Sequence, residues 1–136
     1  MAFQQSIQWK NALNATLASG NTVAQVIIPF QGRHSFSAVE SYNQDATHTL
    51  VATLALEISN DYDRRNPTQA TWDPVTDAAI VAWLTTDATA TPKGGKPNGS
   101  AGTGSMVIDP LRAAALRWTA TWVSGTGSYK LDVDME

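Results

Sequence analysis

Two histidines, one oxygen-rich turn and four scattered carboxylates are the residues of this chain best equipped for chemistry. His34 and His48 stand fourteen positions apart. Each lies at the start of an expected strand, without a cysteine or a glutamate at ligand spacing, so a zinc site is not expected. Asn60, Asp61 and Asp63 have the oxygen-rich opening of a calcium loop. The glycine and the closing bidentate glutamate of such a loop are missing and Arg64 and Arg65 follow at once, so turn chemistry is the better account. Glu57, Asp73, Asp77 and Asp109 fall in turn-like or exposed strand contexts, and nothing marks two of them as the facing, split-pKa pair that glycoside hydrolysis needs. The glycine-rich runs at residues 102–105 and 125–129 sit between strands, not between a strand and a helix, so they read as hinges and not as phosphate cradles. No catalytic, cofactor or metal residue is expected, and the chain reads as non-enzymatic.

Aromatic residues offer the other route to function. Trp9, Trp72, Trp83, Trp118 and Trp122 are many for 136 residues. Trp118 and Trp122 alternate with Leu116 and Ala120 and are expected in the core, where a tryptophan covers roughly 150–250 Å². Trp9 and Trp83 lie outside clean patterns and are the better candidates for an intersubunit contact or a ligand platform.

The elements that must position these residues are strands. Leu50, Ala52, Leu54, Leu56 and Ile58 alternate with Val51, Thr53, Ala55 and Glu57, which predicts a central core strand. Residues 22–30 are rich in β-branched residues and stop at Pro29, where the ladder loses a donor. Residues 35–42 place Phe36, Ala38, Glu40 and Tyr42 on one side, a weaker strand expected near an edge. Residues 117–136 show two alternating segments around Ser-Gly-Thr-Gly-Ser and predict a closing hairpin. A short strand is expected around Trp72, an undecided apolar piece at residues 78–84, and a resumed strand before Asp109. Residues 1–20, with Phe3, Ile7, Trp9, Leu13 and Leu17, mix a two-residue with a four-residue rhythm and are assigned to neither helix nor strand. About seven to eight strands predict one all-β domain over residues 1–136, an antiparallel β-sandwich, jelly-roll-like. It carries an extended N-terminal arm at 1–20 and a long exposed Gly/Pro/Thr-rich loop at 85–105.

Composition narrows the partners. No cysteine excludes disulfides and thiolate metal sites. A net charge of −3 and a pI near 5.2 argue against sequence-independent nucleic-acid binding, which needs a basic patch. The N-terminus lacks a signal-peptide pattern and no run has the length of a membrane span, so a soluble protein without membrane contact is expected. Only 15% of residues are charged, which leaves little repulsion between copies and favours a component of an assembly.

Two segments carry a resemblance. Leu56 to Asp61 followed by Trp72, and then Leu-Arg-Trp-Thr-Ala-Thr-Trp-Val-Ser-Gly-Thr-Gly-Ser-Tyr-Lys-Leu-Asp-Val at residues 116–133, resemble the small β-sandwich structural proteins of tailed bacteriophages. The resemblance covers about half of the chain and implies a capsid decoration or cement protein, or a tail-accessory protein. It implies a homo-oligomer located in the virion, synthesised in the host cytoplasm, with the major capsid protein or another virion protein as partner. On that reading Phe3, Ile7 and Trp9 anchor the arm on a neighbour, and the loop at 85–105 makes a second contact or projects outward. The alternative is a carbohydrate-binding module or tail-associated host-adhesion protein that takes a surface polysaccharide, which requires at least two exposed, coplanar aromatic rings.

Overall fold

The computed structural model describes residues 7–31, 35–42, 49–76, 78, 102–108 and 113–136, with the backbone alone for residue 7 and residues 102–108. Eight strands occur among them: β1 (Ile7–Leu17), β2 (Val23–Pro29), β3 (Phe36–Tyr42), β4 (Val51–Ser59), β5 (Asp73–Pro74), β6 (Gly102–Ile108), β7 (Ala115–Ser124) and β8 (Gly127–Met135). They form two four-stranded sheets, ordered β1-β8-β3-β6 and β2-β7-β4-β5. The ladders β1·β8, β2·β7, β3·β6 and β4·β5 are antiparallel, as in one long ribbon with its bend between β4 and β5. Antiparallel contacts β3·β8 and β4·β7 roll that ribbon into two facing sheets, the winding of a jelly roll.

Alternation places the core. On β3, Phe36, Ala38, Glu40 and Tyr42 are buried while Val39 is exposed. Tyr129, Leu131, Val133 and Met135 of β8 bury against the same interior, and Leu54, Leu56, Leu116, Trp118 and Ala120 meet them from the other sheet. Each such aliphatic side chain contributes about 1.5–3 kcal/mol relative to exposure.

Three expectations are corrected. Residues 117–136 are not a hairpin: β7 pairs with β2 and β4, and β8 with β1 and β3, so the turn between them crosses from one sheet to the other. Two adjacent alternating segments look the same in either arrangement, because period two marks the buried face and not the sheet. Gly125 makes the crossing with φ 74°, and a Cβ there would overlap the carbonyl of Thr49. The arm over residues 1–20 is largely a strand, since Ile7–Leu17 form β1 on β8. Its mixed rhythm comes from a bulge: Trp9 faces Val133 and Leu13 faces Leu131, so Lys10, Asn11 and Ala12 stand against Asp132 alone. Asn11 takes φ 56° there, and its N–H donates to Asp132 Oδ1 at 2.8 Å. β3 lies next to the end strand β6, near an edge of its sheet as expected. The loop at 85–105 also ends earlier than expected, because Gly102 to Ser105 already belong to β6; residues 85–101 lie outside the described residues.

One polar chain crosses the core. Trp118 Nε1 donates to Tyr129 Oη at 2.8 Å, and Tyr129 Oη donates to Glu40 Oε2 at 2.9 Å. Glu40 is fully buried and its Oε1 makes no hydrogen bond. Opposite Glu40 and Tyr42, β6 places Gly104 and Gly102, which bring no side chain to the inward face. Burial raises the Glu40 pKa from 4.5 to about 8, against the weaker opposing effect of the Tyr129 hydrogen bond.

A raised acid pKa stabilises the fold at low pH. Below 4.5 both states hold the proton; between 4.5 and about 8 the unfolded chain releases it while the folded chain keeps it, so this contribution is lost as pH rises. Denaturant titration from pH 4.5 to 8 should show unfolding free energy falling at up to about 1.4 kcal/mol per pH unit. Glu40→Gln should abolish that slope; a slope that persists in the variant assigns it to another group. Separately, Gly125→Ala should lower stability by about 2 kcal/mol or more, from the left-handed backbone and the overlap with Thr49, as read by the urea midpoint.

Candidate functional site

The outer face of the β2-β7-β4 sheet is built in rows by register. Val23, Thr121 and Thr53 share one row, Gln25, Thr119 and Ala55 the next, and Ile27, Arg117 and Glu57 the third. Gln25 Nε2 donates to Thr119 Oγ1 at 2.9 Å. Val23 and Val123 are 50% and 51% exposed. Small and uncharged side chains dominate because period two sends the large apolar residues of these strands inward.

The only charges in these rows cancel. Arg117 Nε donates to Glu57 Oε1 at 3.0 Å and its terminal nitrogen to Glu57 Oε2 at 2.8 Å, a two-pronged pair. The guanidinium also lies 4.6 Å from the centre of the Trp72 ring, and Trp72 meets Tyr62 at 6.0 Å with a 47° tilt. The chain reaches Trp72 through a loop shaped by Asp61. Its Oδ1 accepts Ser59 Oγ–H at 2.7 Å and Thr71 N–H at 2.8 Å. These bonds, Ser59 first, hold the exposed Asp61 carboxyl below its usual pKa. Asp61 therefore acts as a loop organiser, in line with turn chemistry, and a single 3₁₀ turn (Pro67–Gln69) completes the connection.

Of the four interaction residues expected from sequence, Ile7 and Trp9 lie among the described residues, both on β1. Trp9 is partly buried against the core opposite Val133, and Ile7 is paired with Met135 in the β1·β8 ladder. Phe3 and Trp83 lie outside the described residues, as do His34, His48, Asp77 and Asp109. Trp118 is fully buried as expected, and Trp122 is partly buried with its Nε1 donating to Gly125 O at 2.8 Å. Sequence reasoning missed the joining of Glu57, Arg117, Trp72 and Tyr62. Its one signal was opposite charge at outward positions of two strands.

No family model matches this chain, and no curated protein matches its sequence. Among solved structures, 72 chains match. They include the K1 cleaved adhesin domain of Lys-gingipain from Porphyromonas gingivalis W83, at 9% identity and TM-score 0.45, covering 98% of each chain. Chitosan-binding module 1 of a chitosanase/glucanase from Paenibacillus sp. IK-5 matches at 13% identity and TM-score 0.38, over 93% of this chain and 92% of that one. A chain of infectious bursal disease virus, Gx strain, matches at 10% identity and TM-score 0.39, over 96% of this chain and 32% of that one. Likenesses this distant carry no ligand, partner or activity over to this chain.

Arg117 should be bound to Trp72 as well as to Glu57. Arg117→Lys and Trp72→Ala, measured singly and together by chemical denaturation, should show a coupling of about 0.5–1 kcal/mol. Strict additivity would mean that the ring and the guanidinium are neighbours without attraction.

Proposed function

We propose that this chain is a non-enzymatic structural protein of a tailed-phage virion. Its role is that of a capsid decoration or cement protein, attached as a homo-oligomer to the major capsid protein or another virion protein. The observation that carries the reading is the outer face of β2, β7 and β4, where neighbouring rows hold Val, Thr, Gln and Ala and the one ion pair is satisfied within the protein. Such a face loses little on desolvation, which suits a permanent protein contact whose centre is poor in charge.

The phage resemblance points to the same place. Leu56 to Asp61 and Trp72 belong to β4 and the loop after it, and residues 116–124 to β7, so two parts of the resemblance distant in sequence lie side by side and meet in Glu57, Arg117 and Trp72. The anchoring arm has no place in this reading, because removing residues 1–20 would remove β1 from its sheet. Tyr62 and Trp72, tilted by 47°, do not form the coplanar platform that the polysaccharide-module alternative requires.

Quantitative mass spectrometry of particles grown from the encoding genome should find the chain in many copies per particle. Ala55→Arg with Thr121→Arg puts two like charges on the face and should leave the folded protein unattached, with affinity down about tenfold or more. Absence from the particle, or unchanged attachment of the double variant, would overturn the proposal.

A further inference from the structure

Where β2 ends, beside the loop after β4 and the entrance to β7, an open cleft of about 630 Å³ is lined by Pro29, Gln31, Tyr62, Asp63, Arg64 and Ala114, among others. That volume lies within the roughly 300–1,000 Å³ of ordinary small-molecule sites. Its walls are tied together. Phe30 N–H donates to Ala114 O at 2.9 Å and Ala114 N–H to Ser59 O at 2.8 Å, which joins the ends of β2 and β4 to the approach to β7. Asp63 Oδ1 accepts Arg65 N–H at 2.9 Å, which holds that carboxylate in place. Gln31 stands at φ 52°, a left-handed conformation uncommon for a residue other than glycine, and such conformations gather at ligand sites.

We infer that this cleft binds a short neutral saccharide, one or two sugar rings of a glycan. Among the described residues its lining sets one cation, Arg64, against one anion, Asp63, a balance that favours neither an anionic nor a cationic ligand. Instead it offers planar donors on Arg64, planar acceptors on Asp63, and both on Gln31, beside the ring of Tyr62 and the apolar edges of Pro29 and Ala114. A sugar ring has the matching chemistry, hydroxyls that donate and accept at fixed angles around a patch of C–H. The 47° tilt between Tyr62 and Trp72 keeps these two rings from forming a flat platform but leaves a one-ring cleft intact. The inference does not rest on the docking face, since the cleft uses none of Val23, Gln25, Thr53, Ala55, Thr119 and Thr121.

The test is calorimetric titration of the full chain with the neutral tetrasaccharides of β-1,4-glucose, β-1,4-N-acetylglucosamine, α-1,4-glucose and β-1,4-mannose, with end-capped tetra-alanine as an uncharged peptide control. At least one saccharide should saturate the protein. Tyr62→Ala and the exposed-residue variant Arg64→Gln should each weaken it about tenfold or more. The Ala55→Arg/Thr121→Arg protein should bind it normally, which separates this site from particle attachment. No saturable binding by any of the four, binding unchanged in both cleft variants, or equal binding of the capped peptide would overturn the inference.

Discussion

The hydrogen bond from Trp118 to Tyr129 is the contact on which the two sheets depend for their relative placement. Trp118 belongs to the β2-β7-β4-β5 sheet and Tyr129 to the β1-β8-β3-β6 sheet, so their 2.8 Å bond spans the sandwich. Apolar packing alone is tolerant of small slides between two sheets, because one aliphatic contact replaces another at similar energy. A buried donor does not have that freedom: moving either sheet leaves the indole N–H unsatisfied, at a cost of about 1–3 kcal/mol. Glu40 extends the constraint along the sheet to β3, and its protonated form is what keeps the arrangement compatible with burial.

From that alignment follows the division of labour between the two outer surfaces. The β1-β8-β3-β6 sheet carries Lys10, Lys130, Asp132 and Asp134 on its outer side, a mixed-charge surface in which Lys130 approaches Asp132 at 3.9 Å. The opposite sheet shows threonine, alanine, glutamine and valine, with its arginine and glutamate tied to each other. Such weakly polar residues would be unremarkable one by one; their arrangement in adjoining rows across three neighbouring strands makes them a continuous surface. The cleft lies at the margin of that surface, where β2 stops at Pro29 and the loop after β4 is held by Asp61.

How much of this the sequence disclosed depends on whether local periodicity was sufficient. The core face of β3, β4, β7 and β8 was legible, because alternation determines which side chains turn inward whatever sheet they join. Sheet membership was not, and the apparent hairpin at the end of the chain is the clearest case: pairing is decided by long-range partners that adjacent segments do not reveal. β1 was hidden because polar Asn11, at the bulge, interrupts the two-residue alternation between Trp9 and Leu13 and leaves a four-residue interval that a helix shares. The inward carboxylate of β3 was visible in the alternation, but its accommodation opposite Gly104 and against Tyr129 was not. Of the candidate site, the turn chemistry at Asp61 was visible in residue types, while the meeting of Arg117 with Trp72 needed three dimensions.

The bulge in β1 has a bearing on how copies of this protein coexist at high concentration. β1 is the end strand of its sheet, with one long side not engaged by β8. An incoming strand must match donors and acceptors residue for residue, and at Lys10, Asn11 and Ala12 the backbone falls out of step, with Asn11 turned into the left-handed region and its N–H already committed to Asp132. A lysine stands at the same point. Continuous strand-on-strand growth from this side is thereby interrupted midway.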